Sequence, residues 1–106
     1  KGEAGYTSIV IPSNVVYNEK TYTVSEIGAS AFIGQEILTA VTIYEGVKKI
    51  GDRAFMGCLR LSALYIPNST KYIGKNAFYN CTSLPSITIP ESVTEIGRFA
   101  FSNLII

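Results

Sequence analysis

Two cysteines, Cys58 and Cys81, stand 23 residues apart in a chain of 106 residues that contains no histidine. A thiolate nucleophile needs a neighbouring base, and without histidine neither a Ser-His-Asp nor a Cys-His arrangement can be assembled. The commonest transition-metal ligand is missing as well, and two thiols supply only half of a tetrahedral Cys₄ zinc site. Three further spacings of 23 residues join Glu26 to Glu95. If each spacing is one layer of about 4.8 Å, these carboxylates lie about 14 Å apart, too far to work on one glycosidic bond. The glycines are scattered singly, so no phosphate-cradling loop is present. These residue types argue against an enzyme and imply no cofactor and no metal.

Charge narrows the partners. Nine basic and eight acidic residues give a net charge of +1, and no basic run is longer than Lys48-Lys49. Such a chain lacks the electrostatic footprint for nucleic acid or anionic lipid. No apolar run approaches the roughly 20 residues that span a bilayer, and the opening KGEAGYTS has no apolar leader, so membrane insertion is not expected. With 47% hydrophobic and 16% charged residues the composition is globular, and 1–106 is expected to form a single domain.

The spacing of the cysteines is that of the whole chain. Ile-Gly-x-x-Ala-Phe begins at Ile27, Ile50, Ile73 and Ile96, always 23 residues on. A fixed period of this size marks stacked repeats, here about four coils. Other columns hold one residue type each: Leu38, Leu61 and Leu84; Ile43, Ile66 and Ile89; Val24, Val47, Thr70 and Val93. Alternation in Val41-Thr42-Ile43, Leu64-Tyr65-Ile66 and Ile87-Thr88-Ile89 predicts short strands that pair coil to coil as a parallel sheet, centred on Val10, Thr42, Tyr65 and Thr88. The glycines at 28, 51, 74 and 97 mark a corner needing positive φ or close backbone approach. Gly34, Gly57, Asn80 and Asn103, two residues after each phenylalanine, suit left-handed geometry and predict the end of a one-turn helical or 3₁₀ segment with Phe32, Phe55, Phe78 and Phe101 pointing inward. Cys58 and Cys81 then share a column, and parallel Cβ vectors favour free buried thiols over a disulfide. The first coil carries nine extra residues, and its segment 12–24 is expected to hold a β-hairpin turning at Asn18 that covers the open end of the core.

The phrase L-x-x-I-x-I-P-x-x-V-x-x-I-G-x-x-A-F-x-x-C, carried by Leu61–Cys81 and Leu84–Phe101, resembles the BspA-like leucine-rich repeat. The resemblance implies a leucine-rich repeat solenoid and a non-catalytic binding or adhesion module of a secreted or cell-surface bacterial protein. It implies other proteins as partners, among them host extracellular-matrix or cell-surface proteins. Gln35 and Leu104 replace the usual cysteine and Tyr44 the usual proline, and the chain ends inside the fourth coil, as a piece of a longer array would.

Two places could meet a partner. The sheet face is small, flat and uncharged, with Tyr44 and Tyr65 as its only large side chains, flanked by Thr42 and Thr88; the tyrosines are either a paired anchor or a shield for strand edges. The column Ile33, Met56 and Tyr79 is either a second contact stripe or the half-covered rim of the core. A structural spacer presenting another domain is the alternative function. Leu104, Ile105 and Ile106 predict self-association through the C-terminal end.

Overall fold

A computed structural model describes residues 6–85 and 87–102. The expected self-associating end, Leu104 to Ile106, lies outside the described residues, as do Ser86 and Asn103. The Ile-x-Ile alternation becomes strands β1 (Ser8–Ile11), β5 (Ala40–Ile43) and β7 (Ala63–Tyr65), laid parallel in the order β1-β5-β7. Register pairs Val10 with Thr42 and Thr42 with Tyr65. Val41 and Ile43 point into the core while Val10 and Tyr65 face solvent, as a period of two requires.

Among the described residues the fourth strand is not formed. Residues 87–90 belong to no strand, although Thr88 occupies the column of Thr42 and Tyr65. Thr39 N–H donates to Thr7 O at 2.6 Å and Ser62 N–H to Thr39 O at 2.9 Å, fastening each strand's entry to the coil before it. Pro85 stands in that column and has no N–H to give.

The nine extra residues form a hairpin, β2 (Asn14–Tyr17) paired antiparallel with β3 (Lys20–Thr23). Its two-residue loop puts Asn18 at φ 49° and Glu19 at φ 64°, the type I′ pattern, with glutamate taking a position usually left to glycine. Val24 N–H closes the base on Ser13 O at 2.9 Å. The hairpin does not cover the core as expected: all eight strand residues are exposed, and neither strand approaches any other strand. Only Val15, Val16, Tyr17 and Tyr22 of its strands are apolar or aromatic, and the ribbon projects from the coil instead of folding over it.

A second parallel sheet was not apparent from alternation. It runs β4 (Glu26–Ile27), β6 (Lys49–Ile50), β8 (Tyr72–Ile73) and β9 (Glu95–Ile96), each strand turning one isoleucine inward or toward the last coil's edge. The glycine that follows each strand is needed for close approach, not for positive φ. A Cβ on Gly74 would lie 2.6 Å from Asp52 N and 2.7 Å from the Gly51 carbonyl carbon, whereas Gly28, first in the column, has nothing within 4 Å.

The Ala-Phe side contains turns and, among the described residues, no helix, which corrects the helical expectation. Ser30, Arg53, Asn76 and Phe99 have φ near +60°, so no right-handed turn can propagate. Every second N–H then points to the next coil: Phe32 to Ala54 O, Phe55 to Ala77 O and Phe78 to Ala100 O, each at 2.7 Å. Gly34, Gly57 and Asn80 are left-handed as their residue types suggested. The phenylalanines stack with ring centroids 5.2–5.3 Å apart and planes within 11° of parallel. Just outside the strand ends the direction is opposite: Lys71 N–H donates back to Lys48 O and Gly74 N–H back to Ile50 O, each at 2.8 Å. The odd residue in the valine column, Thr70, is fully buried and satisfied, its Oγ1 donating to Val47 O at 2.9 Å.

Both cysteines are free and buried. Cys58 Sγ donates to Phe32 O at 3.2 Å and Cys81 Sγ to Phe55 O at 3.1 Å. The Cys58 thiol beside it, and then burial, push the Cys81 thiol well above the ordinary thiol range.

Candidate protein-binding surface

Alternation puts Tyr65 outward from β7, and Tyr44, two residues beyond Thr42 on the neighbouring coil, outward on the same side. They are 51% and 56% exposed, Tyr44 and Tyr65 respectively, while Thr42 between the strands is half-buried and Thr88 exposed. Tyr44 N–H is tied to Ile11 O at 3.0 Å, so its backbone is fixed by the first coil although it lies past the end of β5. The structure therefore places three of these residues, Thr42, Tyr44 and Tyr65, on an ordered face; Thr88 stands beside them on a segment that does not join the sheet.

The column of Ile33, Met56 and Tyr79 lies on the turn side. Ile33 is exposed, but Met56 and Tyr79 are half-buried, covered by the coils on either side. Their carbonyls are engaged, Met56 O by Gly34 N–H at 2.7 Å and Tyr79 O by Gly57 N–H at 2.8 Å.

Beside Tyr65 the coils part. Among the described residues no hydrogen bond joins 87–93 to the third coil, whereas the preceding junction is closed by several. Ser69 Oγ donates to Val47 O at 2.9 Å and accepts from Gly46 N–H at 3.0 Å; its counterpart Ser92 Oγ is buried without a partner. A cleft of about 460 Å³ fills the gap, lined by Leu64, Tyr65, Ile66, Asn68, Thr88 and Pro90. The contacts resume at Thr94 N–H, which donates to Lys71 O at 2.9 Å.

The second sheet carries a surface that residue types alone did not reveal. Its outward row, Lys49, Tyr72 and Glu95, shares a cleft of about 400 Å³ with Asp52 and Lys75. The signal was the single residue before each Ile-Gly, which had to face solvent once its isoleucine faced inward. Among the described residues no group of three or more histidine, cysteine, aspartate or glutamate side chains could hold a metal.

The profile of the BspA type leucine rich repeat region (6 copies) matches residues 4–106. The chain belongs to the BspA-type leucine-rich repeat family. Its solenoid is similar to solved structures of bacterial leucine-rich repeat proteins. A leucine-rich repeat protein from Bacteroides ovatus superposes with a TM-score of 0.87 at 37% identity, over 92% of this chain and 25% of that one. One from Bacteroides capillosus gives 0.83 at 36% identity, over 95% and 77%. The leucine-rich repeat protein of T. pallidum gives 0.67 at 27% identity, over 92% and 56%. No curated protein matches the chain. This BspA-type chain thus spans a quarter of the length of the Bacteroides ovatus protein. Leucine-rich repeats commonly bind other proteins and are generally not catalytic.

Proposed function

We propose that this BspA-type region is a protein-binding and adhesion module of a secreted or cell-surface bacterial protein, acting without catalysis. The observation that carries the reading is the pair Tyr44 and Tyr65, both half exposed on adjacent coils of an uncharged face. Tyrosine offers large contact area at low entropic cost, and Thr42 and Thr88 let a partner come close. Host extracellular-matrix or cell-surface proteins are the partner class. Combining Tyr44→Ala with Tyr65→Ala should weaken such a partner by more than about 2 kcal/mol, read by surface plasmon resonance, with the melting temperature nearly unchanged. Undiminished affinity in a folded double variant removes the tyrosine face. The spacer reading is favoured by one observation, the continuous phenylalanine stack through all four coils, which makes a stiff unit able to hold another domain at a distance.

A further inference from the structure

The geometry points to the junction between the third and fourth coils as a binding slot for an extended, uncharged peptide, which pairs its main chain with the free edge of β7. The inference rests on the protein-binding reading and says what form the partner takes there. Three observations converge. First, β7 ends its sheet: Ile66 N–H and Thr88 N–H make no hydrogen bond across the junction, although the 23-residue register would set Thr88 beside Tyr65. Unpaired strand groups are the template for strand addition, in which backbone bonds give affinity and alternate side chains give selection. Second, the gap is already open to about 460 Å³, within the range of roughly 300–1,000 Å³ of ligand sites, and three residues of β7 match a short peptide in length. Third, none of the six lining residues is charged, so a charged side chain entering the slot would find no counter-charge, while Asn68 and Thr88 can meet polar groups and Tyr65 can cover the occupant. The opening itself has a cause in one residue, Pro85, which cannot make the bond that Thr39 and Ser62 make.

The probe is an N-terminally fluorescein-labelled, C-terminally amidated peptide Thr-Ala-Val-Thr-Ile-Tyr, the sequence of residues 39–44 and the proline-free counterpart of 85–90. Its anisotropy should rise saturably with the whole chain, and hydrogen exchange at the Ile66 amide should slow on binding. Pro85→Ser restores the missing N–H donor and should close the slot, weakening the peptide at least tenfold without lowering the melting temperature. A peptide N-methylated at alternate amides should bind at least tenfold more weakly than its parent. No saturable binding at millimolar peptide overturns the slot, as does equal binding by Pro85→Ser or by the N-methylated peptide. Tyr44→Ala separates the two proposals: it leaves the peptide unaffected if the slot is the site, whereas a protein partner lost in Tyr44→Ala and kept in Pro85→Ser upholds the tyrosine face and sinks the slot.

Discussion

At the residue scale, identical letters in one column do different work according to what lies on the neighbouring coil. Gly74 is hemmed in by the backbone of Asp52 and Gly51, and Gly28 by nothing within 4 Å. Gly74→Ala should therefore force adjacent coils apart and cost at least about 2 kcal/mol, while Gly28→Ala should be neutral or stabilising through lower unfolded-chain entropy. Equal urea midpoints for the two variants would contradict the close-approach account. Cys81 makes a second residue-scale prediction. With its thiol held above the ordinary value by Cys58 and burial, the folded chain keeps a proton that the unfolded chain, titrating near 9.0, gives up. Stability from this group is thus complete below about pH 9 and falls as pH rises beyond it, by at most about 1.4 kcal/mol per pH unit. The Cys81 hydrogen bond holds the Cys58 thiol below its ordinary value, which works in the opposite sense, so thermal melts between about pH 8 and 10 should stay nearly level for the parent chain and decline for Cys81→Ala, in which burial acts on Cys58 without that bond.

At the element scale, the hairpin is an addition to the first coil and not a part of its packing. Deleting residues 14–22 removes nine residues and leaves Ile11-Pro12-Ser13-Thr23-Val24, which matches Ile66-Pro67-Asn68-Ser69-Thr70 column for column. Because all eight strand residues are exposed, the deletion should change unfolding free energy by less than about 1 kcal/mol, measured by urea denaturation. A loss of several kcal/mol would mean that the ribbon covers core after all. The elements also mark how far a sequence can be read. Strands β1, β5 and β7 follow from alternation, and the hairpin from β-branched and aromatic residues around Asn18. The second sheet escaped because two-residue strands have no period to detect. The helical turns were expected from local spacing, but N–H groups at Phe32, Phe55 and Phe78 have a better acceptor one coil away than any within their own turn. For the candidate surface, outward Tyr44 and Tyr65 were legible from alternation, whereas the cleft beside Tyr65 was not. It exists because a bond is missing, and Pro85 acquires that meaning only once Thr39 and Ser62 are seen to donate at the same column.

At the scale of the whole molecule, the coils are held by parallel ladders on the strand sides and by a separate row of hydrogen bonds on the turn side, which all point forward along the axis. Each coil touches only its neighbours, so stability is a sum of junctions, and the junctions are unequal. At one of them, among the described residues, no hydrogen bond joins 87–93 to the third coil. Under tension that inequality becomes an order of events. A load applied between the chain's two ends peels one layer at a time, since each layer hangs from the next by a single row of contacts. The fourth coil should yield first and at the lowest force, releasing roughly 75–85 Å of contour for its 23 residues. Optical-tweezer traces should show that step ahead of the others, and Pro85→Ser should move it to higher force. A single cooperative rupture of the whole chain would rule the sequence out. A tether built this way has a mechanical fuse at one known position, set by one proline, and would lengthen there before it lets go elsewhere.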